Sequence, residues 1–361
     1  MDRKLEVNRL KRDELGSPAY LSLAESLFAK GNAYGHKLYA HWMLAQNPAL
    51  SPDEDLPIYI CKIDGIEAGQ LAIIPVKISF AGKRLLAGWC ADFFMKSEFQ
   101  RTGAGSKLLD AAFEDFPILM SLGQTDASFH LFSSKLKWHY NDGRLSCYRA
   151  FLRWPVALRF LLKKLGLAKK HSPKTAVTRS DAQLEKVQLK QVDSLKNLPE
   201  SMHGHGADNS RFVLRTPEFL QWRYMLDPYN TYSFHLFEVD GRDKILFIWR
   251  IATDFWRTAK ILDILYEEGV TVSGMRTALG ALMEYMARQG IDILECQTSD
   301  PLVLQAFSRR YISRRTEGSR FVYGMRNMQD CPFFPIGRWA LYAGDCDVDT
   351  LNMGGDIDHE R

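Results

Sequence analysis

The stretch from Leu85 to Asp110, LLAGWCADFFMKSEFQRTGAGSKLLD, constrains this 361-residue chain more than any other. An apolar run reads as a buried strand over 85–95. A glycine turn follows at Gln100-Arg101-Thr102-Gly103-Ala104-Gly105, and a helix opens at once over 103–116. Leu108, Leu109, Ala112, Phe113 and Phe116 share one face of that helix at i, i+3/i+4 spacing. A helix N-terminus presents unpaired N–H groups and a partial positive charge, and glycine lets that backbone approach a bulky anion. Gly103 and Gly105 serve that purpose, Ser106 adds a hydroxyl, and Gln100 and Arg101 flank the turn. The physics predicts a pyrophosphate site. The short βα turn and downstream acid of a dinucleotide fold are missing, as is the Gly-Lys-Ser/Thr of a P-loop.

The surrounding pattern predicts helices over 19–46 and strands over 58–63, 68–80 and 85–95, the first two joined by the Asp64-Gly65 turn signal. After the helix at 103–116 come a short buried strand at 118–122, a helix over 125–136 with Thr125 or Asp126 as N-cap, and two short strands near 138–140 and 145–151. The result is an α/β unit, a mixed sheet flanked by helices. The element order recurs from about residue 211. Trp222-x5-Pro228 repeats Trp42-x5-Pro48, and Asp240-Gly241 repeats Asp64-Gly65. Strands near 232–238, 244–251 and 259–266 precede a helix at 272–289, a strand at 291–296, a helix at 301–309 and strands to about 326. Two copies of one fold in tandem is the economical reading. The expected division is 1–151, a linker at 152–205, 206–329, and a tail at 330–361.

The run into the glycine turn, from Ala91 to Ser106, resembles motif A of the GNAT superfamily of N-acetyltransferases, whose signature is Q/R-x-x-G-x-G/A. It looks particularly like the polyamine-type members. The likeness covers roughly 19–150. The whole chain is also similar to tandem GNAT-like proteins of bacterial surface-polysaccharide clusters, through Trp222-Arg223-Tyr224, the strand near Asp263 and the aspartate-rich ending. The resemblance implies acetyl-CoA or another acyl-CoA as cofactor, with its pyrophosphate at Gln100, Arg101, Thr102, Gly103, Ala104, Gly105 and Ser106. It implies that the Met95 backbone holds the pantetheine arm and that the Phe93 N–H polarises the thioester carbonyl. It makes Asp92 the base that deprotonates an amine acceptor, with Ala91 replacing a neighbouring acid of the pattern. Strand alternation sends Asp92 to the face opposite Phe93 and Met95 unless a bulge intervenes. Ser133 stands where the family often has a tyrosine acid. Asp126 and His130, four apart on one helix, could form a base–orienter pair or a plain surface contact.

The second copy lacks the phosphate turn. Tyr266-Glu267-Glu268-Gly269 stands there, and its acids would repel phosphate. That copy is expected to build part of an acceptor site, with Arg223 and Asp263 as either site or structural residues. The implied substrate is a small-molecule primary amine, an amino sugar or sugar nucleotide by resemblance. Two other readings stay open: an aminoacyl-tRNA-dependent transferase with paired GNAT-like units, and a non-catalytic binding scaffold.

A net charge of +4 with no nucleic-acid motif gives no case for a nucleic-acid partner. The six cysteines are scattered without C-x-x-C or metal spacing, so no metal is expected and Cys90 and Cys147 read as small core residues. Without a leader or an 18-residue apolar run, the expected location is cytoplasmic. One segment qualifies this. From Arg153 to Lys174 there are seven Lys or Arg and no acid. Leu158, Leu161, Leu162 and Leu165 share a face over 156–170, which reads as a linker helix or as a peripheral membrane contact. Asp345, Asp347 and Asp349 imitate the start of a calcium loop, but Thr350 stands where its glycine should be, which favours a polar turn.

Overall fold

The computed structural model describes residues 4–27, 37–153, 187–192, 195, 202, 212–239, 243–253, 256–307 and 312–346. The first half runs β1 (Leu5–Leu10), α1 (Pro18–Leu27), α2 (Lys37–Ala40, continued by a π turn at His41–Ala45), β2 (Leu56–Ile63), β3 (Ile66–Phe80) and β4 (Lys83–Met95). It continues with α3 (Ala104–Asp115), β5 (Ile118–Leu122), α4 (Asp126–His130, continued by a π turn at Leu131–Lys135) and β6 (His139–Phe151). After β7 (Val187–Gln191) and β8 (Phe212–Val213) the order repeats. It runs α5 (Pro217–Leu220 with a π turn at Gln221–Met225), β9 (Ser233–Val239), β10 (Asp243–Thr253), β11 (Arg257–Tyr266), α6 (Val272–Arg288), β12 (Ile293–Thr298), α7 (Pro301–Ala306) and β13 (Ile312–Gly324).

All of these strands join one sheet in the order β1-β2-β3-β4-β5-β13-β6-β12-β11-β10-β9-β7, with β8 added against β3. Read from either end, equivalent strands meet in the same sequence. β1 matches β7, β2 matches β9, β3 matches β10, β4 matches β11, and β5 matches β12. A pseudo-twofold therefore passes between β6 and β13, which pair antiparallel at the centre. The last strands are exchanged. β6 pairs with β12 of the second half, and β13 pairs with β5 of the first. The mixed α/β sheet agrees with the sequence reading; the exchange was not foreseen.

Each half covers one sheet face with its long helix. Ala104, Leu108, Leu109, Ala112 and Phe116 of α3 pack on Tyr59, Cys61, Leu71, Ile73 and Leu119. Met275, Leu279, Leu282 and Met286 of α6 pack likewise on Phe237, Ile245, Phe247 and Leu294. The opposite face carries a core shared by both halves, including Trp42, Trp89, Trp222, Phe321 and Trp339. Its centre is reciprocal. Trp42 Nε1 donates to the Trp222 carbonyl at 2.7 Å, and Trp222 Nε1 donates to the Trp42 carbonyl at 2.8 Å. The repeated Trp-x5-Pro segments meet each other on the pseudo-dyad.

Several boundaries differ from the sequence reading. β1 was missed because LEVNRL alternates over only four residues before Arg9 and Leu10 reverse the pattern. β7 lies inside the stretch expected to be linker and pairs with β9. The two short strands expected near 138–151 are one strand, continuous from His139 to Phe151. The basic segment 156–170 lies outside the described residues. Among the described residues no helix is long and apolar enough to cross a membrane.

Candidate functional site

The site begins with a fault in β4. Ala91 pairs with Ala72 and Phe94 with Gln70, so two residues, Asp92 and Phe93, face the single Leu71. Asp92 takes φ +47° to make this bulge. A bulge shifts the side-chain alternation by one. Phe93 and Met95 thereby join Cys90 on the α3 face, while Asp92 turns toward Tyr20 of α1. Burial and the Asp92 charge push the Tyr20 phenol pKa upward. The bulge therefore carries the Phe93 and Met95 side chains to the α3 face and Asp92 to the other, so Asp92 stays on the face opposite theirs.

The other edge of β4 opens at the same level. β4 and β5 pair in parallel only at Ala87–Ile118, Gly88–Leu119 and Trp89–Met120. The β4–β5 register ends at Trp89 and is not continued over Cys90 to Met95. Two parallel strands that part leave a gap between their backbones, able to receive an extended ligand much as a sheet edge receives a strand.

α3 points its N-terminus at this gap. Gly103 caps the helix at φ +88° with no side-chain cap, and Arg101 at φ +65° makes the turn before it. A Cβ on Gly103 would meet nothing within 4 Å, so conformation alone requires glycine there. Gly105 has another reason. A Cβ there would stand 3.3 Å from the Phe93 ring and 3.8 Å from Met95 Cγ. The Ser106 and Lys107 N–H groups return to the Gly103 carbonyl, leaving those of Gly103, Ala104 and Gly105 as the helix's open donors. Thr102 Oγ1 donates to the Phe99 carbonyl at 2.7 Å, and Gln100 Nε2 to the Met95 carbonyl at 3.3 Å. These two side chains shape the turn, so a ligand there would meet mainly backbone.

The residues expected on α4 are arranged differently. Asp126 forms an exposed ion pair with Arg320 of β13 instead of pairing with His130. The Arg320 guanidinium also lies 4.8 Å from the Phe129 ring centre. Strand exchange is the cause, because it brings β13 beside β5 and next to the start of α4. His130 is exposed. Ser133 donates to the Phe129 carbonyl at 2.7 Å, a bond within its own helix, and carries no free hydroxyl proton toward the gap.

The corresponding place in the second half is closed. α6 is capped by Thr271, whose Oγ1 accepts from the Gly274 N–H at 3.0 Å, and Glu267 and Glu268 precede it. β11 is also bulged, with Leu262 extra between Asp263 and Ile261. There, however, Asp263 receives Arg215 through Nε at 2.8 Å and Nη2 at 3.1 Å, and the Tyr224 hydroxyl at 3.0 Å. Arg215 Nη2 also meets Asp345 at 2.6 Å, and Arg223 donates to the carbonyls of Gly344 and Cys346, both at 2.9 Å. The chain's own segment from Trp339 to Cys346 fills this gap. Thr298 bridges to Tyr342, and a Cβ on Gly344 would lie 2.7 Å from the Leu262 carbonyl. Arg223, Asp263 and Asp345 are structural partners here, and Asp347 and Asp349 lie outside the described residues.

Sequence reading missed Arg215, Tyr20 and Gln70. Gln70 had a signal, being the single polar side chain in the run 68–76.

No family model matches the sequence, and no curated protein sequence does. Solved structures do match. A GCN5-related N-acetyltransferase from Anabaena variabilis is 15% identical, with 90% of this chain covering 73% of that one at TM-score 0.55. A GCN5-related N-acetyltransferase from Kribbella flavida is 12% identical, with 90% covering 71% at TM-score 0.55. Saccharomyces cerevisiae N-myristoyltransferase, solved with bound myristoyl-CoA, is 9% identical, with 94% covering 84% at TM-score 0.52. At such identities the likeness is one of architecture, and the chain has the GCN5-related N-acetyltransferase fold.

Proposed function

We propose that this chain is an acyl-CoA-dependent N-acyltransferase, with acetyl-CoA as donor and a primary amine as acceptor. The observation that carries the reading is the contrast between the two halves. α3 opens on an uncapped αL glycine with free N–H groups beside a splayed, bulged strand. The equivalent α6 is self-capped, preceded by two acids and blocked by the chain itself. The first half, 1–151, is the cofactor-binding unit of this proposal; 206–329 is its degenerate copy, joined through 152–205 and closed by the tail from 330.

The residues fit a coenzyme A. The N–H groups of Gly103, Ala104 and Gly105 would hold the pyrophosphate, helped by the helix dipole and Ser106, with Arg101 exposed alongside. The open edge of β4 at Phe93 and Met95 would hold the pantetheine arm. When bound, acyl-CoA supplies the activated acyl group. The Phe93 N–H, released by the bulge, would donate to the acyl oxygen as it gains negative charge. Asp92, on the other side of the bulge, would take the proton of the attacking ammonium. Ser133 is not needed as an acid, because a thiol near pKa 8.5 is a tolerable leaving group as its thiolate. An amino sugar is the acceptor class we favour. Acetyl-CoA titration followed by an amine screen tests the reading: heat of binding with acetyl transfer supports it, and absence of binding removes it.

A further inference from the structure

Buried polar atoms with no partner are rare in folded proteins, and each one asks for an explanation. Four such atoms belong to three residues of the first half. Gln70 Oε1, Trp89 Nε1 and both amide atoms of Gln124 are buried without a hydrogen bond. Gln70 and Trp89 are each only 1% exposed.

Their places in the sheet are related. Trp89 is the last β4 residue to pair with β5, so it stands where the two strands part. Gln70 lies on β3 opposite Phe94, immediately beside the bulge that carries Asp92. Gln124 follows the end of β5, on the other arm of the gap. By strand alternation Gln70 shares a face with Ala72 and Ile74, which pair with Ala91 and Trp89. That is the face of Tyr20 and the shared core, opposite α3 and its N-terminus.

The chemistry of the four atoms restricts what could satisfy them. Gln70 Oε1 needs a donor, Trp89 Nε1 needs an acceptor, and Gln124 needs both. Hydroxyl groups do both. The charge brought beside them is Asp92, a carboxylate, which suits an ammonium. Arg320, whose carbonyl accepts from the Gly123 N–H, has its guanidinium paired with Asp126. The guanidinium that chain pairing brings beside Gln124 is therefore already neutralised by a carboxylate.

Resting on the function proposed above, we infer that Gln70, Trp89 and Gln124 form the specificity pocket for the acceptor. The pocket takes a polyhydroxylated primary amine such as an unphosphorylated amino sugar, and excludes apolar amines. Gln70 and Trp89 are specificity residues in this account, and Asp92 is the group that meets the nitrogen.

The test uses full-length protein saturated with coenzyme A, which cannot transfer. Glucosamine and cyclohexylamine are titrated into it; both present a primary ammonium on a six-membered ring, but only one has hydroxyls. Wild type is expected to bind glucosamine at least about tenfold more tightly, since cyclohexylamine leaves the buried groups unpaired. Gln70→Leu and Trp89→Phe should each shrink that ratio about tenfold while leaving acetyl-CoA affinity unchanged. Gln70→Leu should also raise the melting temperature of the free protein, because it replaces a buried side chain whose amide oxygen is unsatisfied with an apolar group of similar size. Equal binding of the two amines, no binding of either, or an unchanged ratio in Gln70→Leu overturns the inference. If acetyl-CoA itself fails to bind wild type, the function falls and the inference with it; if it binds and the ratio does not move, the inference alone falls.

Discussion

Replacing Trp42 with Phe tests whether the two halves are one interlocked body. The indole N–H of Trp42 reaches the Trp222 carbonyl at 2.7 Å, and both residues are 2% exposed. Phenylalanine keeps an aromatic ring in the shared core but orphans that buried carbonyl, which costs about 1–3 kcal/mol. The space left by the larger ring adds a cavity cost of roughly 1 kcal/mol. The expected loss is about 2–4 kcal/mol. Because the second bond mirrors the first at 2.8 Å, Trp222→Phe should cost the same within about 1 kcal/mol. The residues touch, with ring centres 5.9 Å apart, so the double variant should deviate from additivity by about 0.5–3 kcal/mol. Equilibrium urea unfolding reads all three, as shifts in midpoint at constant slope. The exchanged strands β6 and β13 make a further demand, that wild type unfold in one transition. A single variant within about 0.5 kcal/mol of wild type, the range of an ordinary surface change, or two separate transitions, would refute the interlock.

Other expectations follow from the same geometry. Gly105→Val pushes a side chain into the Phe93 ring, already 3.3 Å from a Cβ, and should weaken acetyl-CoA binding about tenfold or more in a titration while the fold survives. Asp92→Asn should lower kcat by about 10²–10⁴ with little change in acetyl-CoA affinity, if Asp92 is the base; steady-state kinetics decide it. The Asp345 carboxyl is raised from 3.8 to about 7, chiefly by burial and against the pull of Arg215. Such a group takes up a proton on folding, so its contribution is full below about pH 4 and is lost as pH rises through 7. Urea midpoints between pH 5 and 8 should therefore depend less on pH in Asp345→Asn than in wild type. His235 behaves oppositely. Burial lowers it from 6.5 to about 4, and its Nδ1 accepts from Trp249 Nε1 at 3.0 Å. Stability should fall as pH drops from 6.5 to 4, and His235→Gln should blunt that fall.

Much of the architecture was legible because it is local. The periodicity of Leu108, Leu109, Ala112 and Phe116, the Asp64-Gly65 turn and the repeated Trp-x5-Pro segments announce elements that form where expected. The glycine turn was legible for the same reason, although Gly105 answers to Phe93 as much as to any ligand. What the sequence hides is non-local. Nothing in His139–Phe151 or Ile312–Gly324 says that these strands trade places. That exchange is what takes Asp126 away from His130 and gives it to Arg320. The role of Arg215 depends on Asp263 and Asp345, which are distant in the chain and meet only through the tail. A bulge was the condition for Asp92 to share a face with Phe93 and Met95; it is present, yet it carries Phe93 and Met95 to the α3 face and leaves Asp92 on the other. No local pattern fixes which residue bulges.

The central claim is that α3 binds the phosphates of an acyl-CoA, and one titration addresses it most directly. Acetyl-CoA should be titrated calorimetrically into wild type, Gly103→Asn and Gly103→Asp. Both side chains tolerate the left-handed conformation at φ +88°. They are near-isosteric, so they differ in charge where the pyrophosphate would lie. The account predicts saturable binding to wild type, moderate weakening in Gly103→Asn, and a further loss of about tenfold or more in Gly103→Asp that diminishes as salt is raised. Equal affinities for Asn and Asp, or no binding to wild type, would contradict it.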